Sequence, residues 1–232
     1  VVTCEEGNNK RFSRYDFGEV KKMFSKEPED KELFTKRFDE FYSRYANVYN
    51  FIVNRLSFWR RWIGHALPYV IGPRVLEISF GTGYLLTQFA LDFETYGIDY
   101  NQKFVDMVKD KLTQMNIHAD IRRGDVYELP FEEDFFDCVV NTMAFSGYPD
   151  GEGALLEIKR VIKPGGRLVM IDVNYPQNGN WLGVCATRAW AIGGDIIRDI
   201  DALLQKFDFE YTSQEVGGFG SVHLYVAEKK RT

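Results

Sequence analysis

Cysteine is scarce in this chain and poorly placed for chemistry. Cys4, Cys138 and Cys185 lie far apart with no CxxC spacing, which argues against a zinc ribbon or a disulfide framework and predicts a reducing, cytoplasmic setting. No run of 18 or more apolar residues occurs, so no transmembrane helix and no stable membrane insertion is expected. Nothing near Val1 reads as a charged segment followed by an apolar core, so a secretory signal is not expected either. The chain opens on Val1 rather than Met, which points to a removed tag or leader. Positive charge is also short, with 29 Lys and Arg against 34 Asp and Glu, a net charge of -5 and a pI near 5.4. That balance disfavours nucleic acid as a partner. The three histidines, His65, His118 and His223, are scattered and read as ordinary fold residues, with no metal site among them. Internal repeats and low-complexity tracts are absent.

What the chain does have is apolar bulk. At 232 residues with 45% hydrophobic content, it suits one large domain with a substantial core. Residues 1–72 differ from the rest. Charge dominates residues 5–40, and Phe34, Phe38, Phe41, Tyr42 and Tyr45 then recur at helical spacing, followed by Tyr49, Phe58, Trp59 and Trp62. This predicts an N-terminal helical extension ended by Gly72-Pro73, and a second unit over residues 73–232.

Beyond Pro73, strands and helices alternate. Arg74–Ser79, Thr95–Tyr100, His118–Arg122, Phe136–Phe145 and Arg167–Val173 read as strands. Tyr84–Leu91, 102–115 and Gly153–Lys163 read as helices, the last stopped by Pro164-Gly165-Gly166. Near-continuous apolar strands in such alternation signal a parallel sheet covered on both faces. After a helix over Asp199–Phe207, Glu210–Val216 and Val222–Glu228 flank a glycine turn too short for anything but an antiparallel pair. The expected fold is α/β, a doubly wound, mostly parallel seven-stranded Rossmann-like sheet closed by a C-terminal antiparallel hairpin, with an N-terminal helical lid.

The segment Val75-Leu76-Glu77-Ile78-Ser79-Phe80-Gly81-Thr82-Gly83 runs from a buried strand into glycines and then a helix. It therefore places a turn at the carboxyl edge of the sheet, where ligands bind in such folds. Glycine lets backbone and ligand approach closely, although a Gly-x-Gly here can also be a plain tight turn. Gly97-Ile98-Asp99-Tyr100 ends the second strand on an acid that can accept bonds from both ribose hydroxyls. The alternative is that Asp99 caps the following helix.

Four motifs in order, VLEISFGTG, GIDY, GDVYELPF and EIKRVIKPGGRLVMID, resemble the class I S-adenosylmethionine-dependent methyltransferases. The closest likeness is to the small-molecule branch that includes the ubiquinone and menaquinone biosynthetic enzymes. The resemblance covers residues 74–173. It implies S-adenosyl-L-methionine as cofactor and roles for particular residues. Glu77 would face the methionine amino group. Ser79, Gly81 and Gly83 would form the loop that approaches the methionine and ribose, Asp99 and Tyr100 the ribose site, Asp125 and Val126 the adenine site. Asn141 would touch the methionine part or the acceptor, and Tyr49 joins it as a catalytic candidate. A cationic sulfonium suits a pocket bearing Glu77 and aromatic faces.

The family usually has glycine at the position of Ser79 and a small residue at Phe80, which leaves open a non-catalytic partner subunit. Asn50 stands where the quinone branch carries aspartate, and that branch's Gly-x-His after Ser57-Phe58 is missing. A lid role is therefore carried over, and the quinone substrate is not. Tyr42, Tyr45 and Tyr49 read either as acceptor-pocket lining or as core, and Trp59-Arg60-Arg61-Trp62 as a packed amphipathic helix rather than a membrane dock. A nicotinamide-dependent oxidoreductase is the weaker rival, because Leu86 occupies the third glycine position of its fingerprint. Methyl transfer to a small apolar or aromatic acceptor is the expected function. The oligomeric state is not fixed by the sequence, a dimer being one option.

Overall fold

The computed structural model describes residues 26–231, and for residues 46–54 the backbone alone. Seven strands form one sheet in the order β3-β2-β1-β4-β5-β7-β6. They are β1 (Arg74–Ile78), β2 (Glu94–Asp99), β3 (Asp120–Arg123), β4 (Phe136–Thr142), β5 (Ile162–Val173), β6 (Phe209–Gly217) and β7 (Val222–Lys229). Pairing is parallel from β3 across to β5, and β7 runs antiparallel to both β5 and β6. The chain winds outward from β1 to β3 and then returns to β4 on the other side of β1. The crevice at the carboxyl ends of β1 and β4 is thus the switch point where such sheets take ligands.

The central strands are buried on both faces because two apolar layers cover them. One layer centres on Val75, Leu86, Val108 and Val140, the other on Leu76, Phe136, Leu155 and Tyr225. Alternate residues of one strand feed opposite layers, as the two-residue period of a strand requires. The helices α3 (Leu86–Phe89), α4 (Gln102–Gln114), α5 (Gly151–Val161) and α7 (Ile200–Lys206) follow the strands. Asn101, Asp150 and Asp199 cap α4, α5 and α7 by accepting from backbone N–H groups of the first turn. The helix after β2 is therefore capped by Asn101, not by Asp99.

Several elements depart from expectation; the strand expected over Phe136–Phe145, for one, ends at Thr142. The helix after the glycine turn shrinks to Leu86–Phe89. Pro164-Gly165-Gly166 lies inside β5 rather than before it, at a shift of register in which Phe136 faces Ile162 but Cys138 faces Arg167. A further departure is α6 (Trp181–Ile192), which periodicity does not reveal because its apolar residues are spread around the whole helix. Trp181 is 70% and Ile192 82% exposed, while only Gly183 and Thr187 are buried.

Before the sheet come α1 (Lys31–Arg55) and α2 (Ser57–Gly64). On α1, Phe34, Phe38 and Tyr42 lie on the partly buried face and their rings follow one another at 4.7 and 6.2 Å, whereas Phe41 and Tyr45 are exposed. The helix is pinned to the domain at two places. Asn101 Nδ2 donates to Asp39 Oδ1 and Ser43 Oγ, both at 2.7 Å, and Lys31 Nζ donates to Asp150 Oδ2 at 2.7 Å. Among the described residues no helix is long and apolar enough to cross a membrane.

Candidate functional site

A cavity of about 190 Å³ opens at the switch point. Its floor is the carboxyl ends of β1, β2 and β4, and its far wall is α1 and α2. Glu77, Ser79, Gly81, Asp99, Tyr100, Asp125 and Val126 all line it. The structure thus brings together residues spread over three separate motifs.

Glu77 is 1% exposed, and its Oε2 has no hydrogen-bond partner among the described residues. Burial first, then the charge of Asp99, holds its carboxyl well above the usual range, opposed by a bond from the Leu86 backbone N–H. Asp99 accepts from Gly81 N on one oxygen and from Asn101 N on the other, each at 2.8 Å. Burial still pushes its carboxyl up to about 6, because those bonds only partly offset the lost hydration. Asp125 accepts from Tyr127 N at 3.1 Å. Tyr100 packs under Arg123, whose guanidinium lies 5.4 Å from the ring centroid.

The two glycines of the turn do different things. Gly81 has φ +52° and open space where a Cβ would sit. Gly83 has φ +66°, does not line the cavity, and lies so close to α4 that a Cβ would meet Val108 Cγ2 at 2.6 Å. Gly81 therefore leaves room at the cavity, whereas Gly83 permits close helix packing.

Ser79 also adopts a left-handed backbone, φ 56°, a conformation usually left to glycine. Its Oγ makes a 2.7 Å hydrogen bond with Tyr148 Oη, which also accepts from Asn141 Nδ2 at 2.8 Å. Asn141 is fully buried, gives a second bond to Ile78 O at 3.2 Å, and stands beneath the cavity rather than in its wall. Tyr148 itself does line the cavity, and burial raises its phenol well above the ordinary range. The side chain of Tyr49 lies outside the described residues.

Several wall residues carry no motif; Phe38, Tyr42 and Trp59 belong to the aromatic stretch picked out in the sequence, whereas Asp39, Ile63, Met143 and Asp195 gave no signal there. From α1 come Phe38, Asp39 and Tyr42, and from α2 come Trp59 and Ile63. Thr142 and Met143 follow Asn141, and Asp195 enters from the loop after α6. Burial first, then the charges of Asp195, Asp172 and Asp99, pushes the Tyr42 phenol up to about 12. Of the predicted aromatic stretch, Trp59 lines the cavity. Trp62 instead packs against the end of β6, where a Cβ on Gly217 would lie 2.1 Å from its Nε1.

With this geometry in place, likeness to known proteins becomes informative. Residues 76–170 match the family model described as a methyltransferase domain. This part of the chain is a methyltransferase domain. The relatives with curated names include a demethylmenaquinone methyltransferase of Lactobacillus johnsonii, 29% identical over 150 residues, covering 60% of this chain and 62% of the relative. Another of the same name, from Lactiplantibacillus plantarum, is 31% identical over 142 residues, 58% of this chain and 59% of the relative. The chain thus matches about three-fifths of the length of these relatives. Among solved structures, the [4+2]-cyclase SpnF superposes with a TM-score of 0.71 at 17% identity, covering 84% of this chain and 96% of that one. An S-adenosylmethionine-dependent methyltransferase of Aquifex aeolicus superposes with a TM-score of 0.59 at 17% identity, covering 78% and 97%. These structural likenesses establish the Rossmann-like fold. Since a cyclase shares it, fold by itself does not decide chemistry.

The methyltransferase domain implies S-adenosylmethionine as cofactor, and the site suits such a ligand. A buried carboxylate oxygen with no partner at Glu77 is ready for an ammonium donor. Asp99 and Asp125 retain lone pairs for hydroxyl and amino donors, and the open space at Gly81 allows close approach to the backbone.

Proposed function

We propose that the protein transfers the methyl group of S-adenosylmethionine to a small apolar or aromatic acceptor. The observation that supports this most is the composition of the cavity at the switch point. Its strand-end side is built from Glu77, Asp99 and Asp125, and its helical side from Phe38, Tyr42, Trp59 and Met143. A cationic, hydroxyl-bearing cofactor fits the first side and an apolar ring the second.

When bound, the cofactor supplies a methyl group on a sulfonium, whose departure leaves a neutral thioether. The chain's own residues then chiefly position and exclude water. Glu77 would hold the amino group of the methionine part, Asp99 the ribose hydroxyls, and Asp125 with the Val126 backbone the adenine. Tyr100 would flank the ribose site. Asn141 and Ser79 fix the Tyr148 hydroxyl from two sides, making them positioning residues for that wall. The helices α1 and α2 act as a lid over the acceptor, tied to the cofactor side through Asn101; on this reading the described part of residues 1–72 is the lid, residues 1–25 lying outside the described residues, and 73–232 the cofactor domain.

Mass spectrometry tests the proposal directly. The full chain, S-adenosylmethionine and a reduced 2-alkyl-1,4-naphthoquinone, chosen after the names of the relatives, should give a product heavier by one methylene. Replacing the probe by small phenols shows how far the aromatic wall discriminates. If cofactor binds but none of these aromatic acceptors is methylated, the assignment of an apolar or aromatic acceptor is wrong.

A further inference from the structure

We propose that Asp195 is the general base of the acceptor site, and that the acceptor therefore carries an acidic hydroxyl of the phenol or enol class. This rests on the methyl-transfer reading above and names the substrate chemistry that the same cavity selects.

Five carboxylates reach the cavity wall, and four have structural duties. Asp39 accepts from Asn101, Asp99 from two backbone N–H groups, Asp125 from Tyr127 N, and Glu77 from Leu86 N. Asp195 differs from them in its place in the chain: it enters the cavity from the loop after α6, and its Oδ1 accepts from Ser146 Oγ at 2.8 Å. The clamp is rigid, because Ser146 is buried, its N–H donates to Asp172 Oδ2 at 3.1 Å, and its carbonyl accepts from Ile196 N at 2.8 Å. The loop also presses on the aromatic end of the cavity. A Cβ on the neighbouring Gly194 would lie 3.3 Å from the Phe38 ring, and Trp190 packs 5.9 Å from Trp59. A carboxylate in the cavity wall, fixed through one oxygen by a buried serine and set beside the loop that packs on Phe38, is an arrangement that serves proton removal.

The surroundings also set its basicity. Burial first, with the charge of Asp172 adding and the Ser146 bond opposing, pushes the Asp195 carboxyl up to about 6. The titratable groups facing it are Tyr42 from α1 and Asp172 from β5, with Arg198 beyond Asp172. Asp195 is thus charged at neutral pH yet more basic than an exposed aspartate. In the transfer, the hydroxyl hydrogen of the acceptor passes to Asp195 Oδ2. The electron pair released forms the bond from acceptor oxygen, or from the conjugated ring carbon, to the methyl carbon. The bond from that carbon to sulfur breaks with its pair on sulfur. In the oxygen case the proton leaves Asp195 for solvent; in the carbon case Asp195 returns its proton to the oxygen, restoring the hydroxyl, as the ring proton passes to solvent and its bonding pair rejoins the ring.

The test uses the full chain and Asp195→Asn, which keeps the shape and the acceptor for Ser146 but is a far weaker base. Calorimetry with S-adenosylhomocysteine comes first, and both proteins should bind it equally. A wild type that does not bind it overturns the methyl-transfer reading, and the base assignment falls with it. The loaded proteins are then titrated with 2-naphthol and with 2-methoxynaphthalene, which lacks the donor. Wild type at pH 8 should prefer 2-naphthol by roughly ten- to a hundredfold, as a bond to a charged acceptor implies. The preference should fall as pH drops through about 6, and Asp195→Asn should lose most of it. An equal preference in the variant, no preference in wild type, or no binding of either probe by the loaded wild type would each overturn the assignment.

Discussion

Glu77→Gln should make the protein more stable and worse at binding its cofactor, and the two effects have one cause. The side chain is 1% exposed, one oxygen takes the Leu86 N–H, and the other has no partner among the described residues. Such a group costs about 1–3 kcal/mol when buried, more when charged. Glutamine keeps an oxygen for Leu86 and removes the charge. For a chain of this size about 1 kcal/mol corresponds to roughly 2–4 °C, so Tm of the ligand-free protein at pH 8 should rise by roughly 2–10 °C. The folded-state pKa of Glu77 is raised. Its contribution is therefore fully present below the unfolded value and is lost as pH rises through the folded one. The gap between variant and wild type should accordingly close as pH falls. Cofactor binding should move the other way, because a charge-assisted bond to the ammonium group is lost. That bond contributes about 1.5–3 kcal/mol, or roughly ten- to a hundredfold in Kd. Scanning fluorimetry across pH and titration calorimetry measure the two halves. A glutamine variant that is less stable at pH 8 without ligand, or that binds S-adenosylmethionine as wild type does, refutes the reasoning.

The glycines of the turn should separate cleanly. Gly81→Ala meets no neighbour but carries a left-handed backbone, so it should lose about 1–2 kcal/mol of stability and bind cofactor weakly, whereas Gly83→Val drives into Val108 and should lose folded protein, visible by circular dichroism. Asn101→Ala removes both the cap of α4 and the bonds to Asp39 and Ser43; it should cost about 1–2 kcal/mol and speed proteolysis within α1, and unchanged protection would show that α1 is held otherwise. Trp59→Ala should depress methyl transfer more than stability, and Trp62→Ala, packed on Gly217, should do the reverse, as paired activity and melting measurements would reveal.

The parallel strands could be anticipated as far as β5 because buried parallel strands leave near-continuous apolar runs such as FDCVV and RLVMI, and glycines mark where they turn. Boundaries suffered where backbone chemistry competes with pattern. Pro164-Gly165-Gly166 suggests a break, yet the strand absorbs it through a shift of register. The helix α6 escaped because its few buried positions are Gly183 and Thr187, so no apolar stripe betrays it. At the cavity, lining residues such as Glu77, Asp99 and Asp125 could be picked out because they sit near or just beyond strand ends. Asp195, Tyr148 and the pairing of Asn101 with Asp39 could not, since their contacts join segments far apart in the chain and depend on loop paths that no periodicity encodes. Gly83 is a related case. A glycine needed for close packing on α4 and one left open at the cavity look identical in sequence.

The central claim is that the cavity at the switch point holds S-adenosylmethionine with Asp99 as its ribose anchor, and calorimetry on wild type and Asp99→Ala tests it most directly. Wild type should bind S-adenosylmethionine saturably, one per chain, with little affinity for a nicotinamide dinucleotide. Loss of hydrogen bonds to a charged group, about 1.5–3 kcal/mol each, should weaken the variant roughly ten- to a hundredfold. Equal affinity in both proteins would remove Asp99 from the site, and tight nicotinamide binding with none for S-adenosylmethionine would contradict the account.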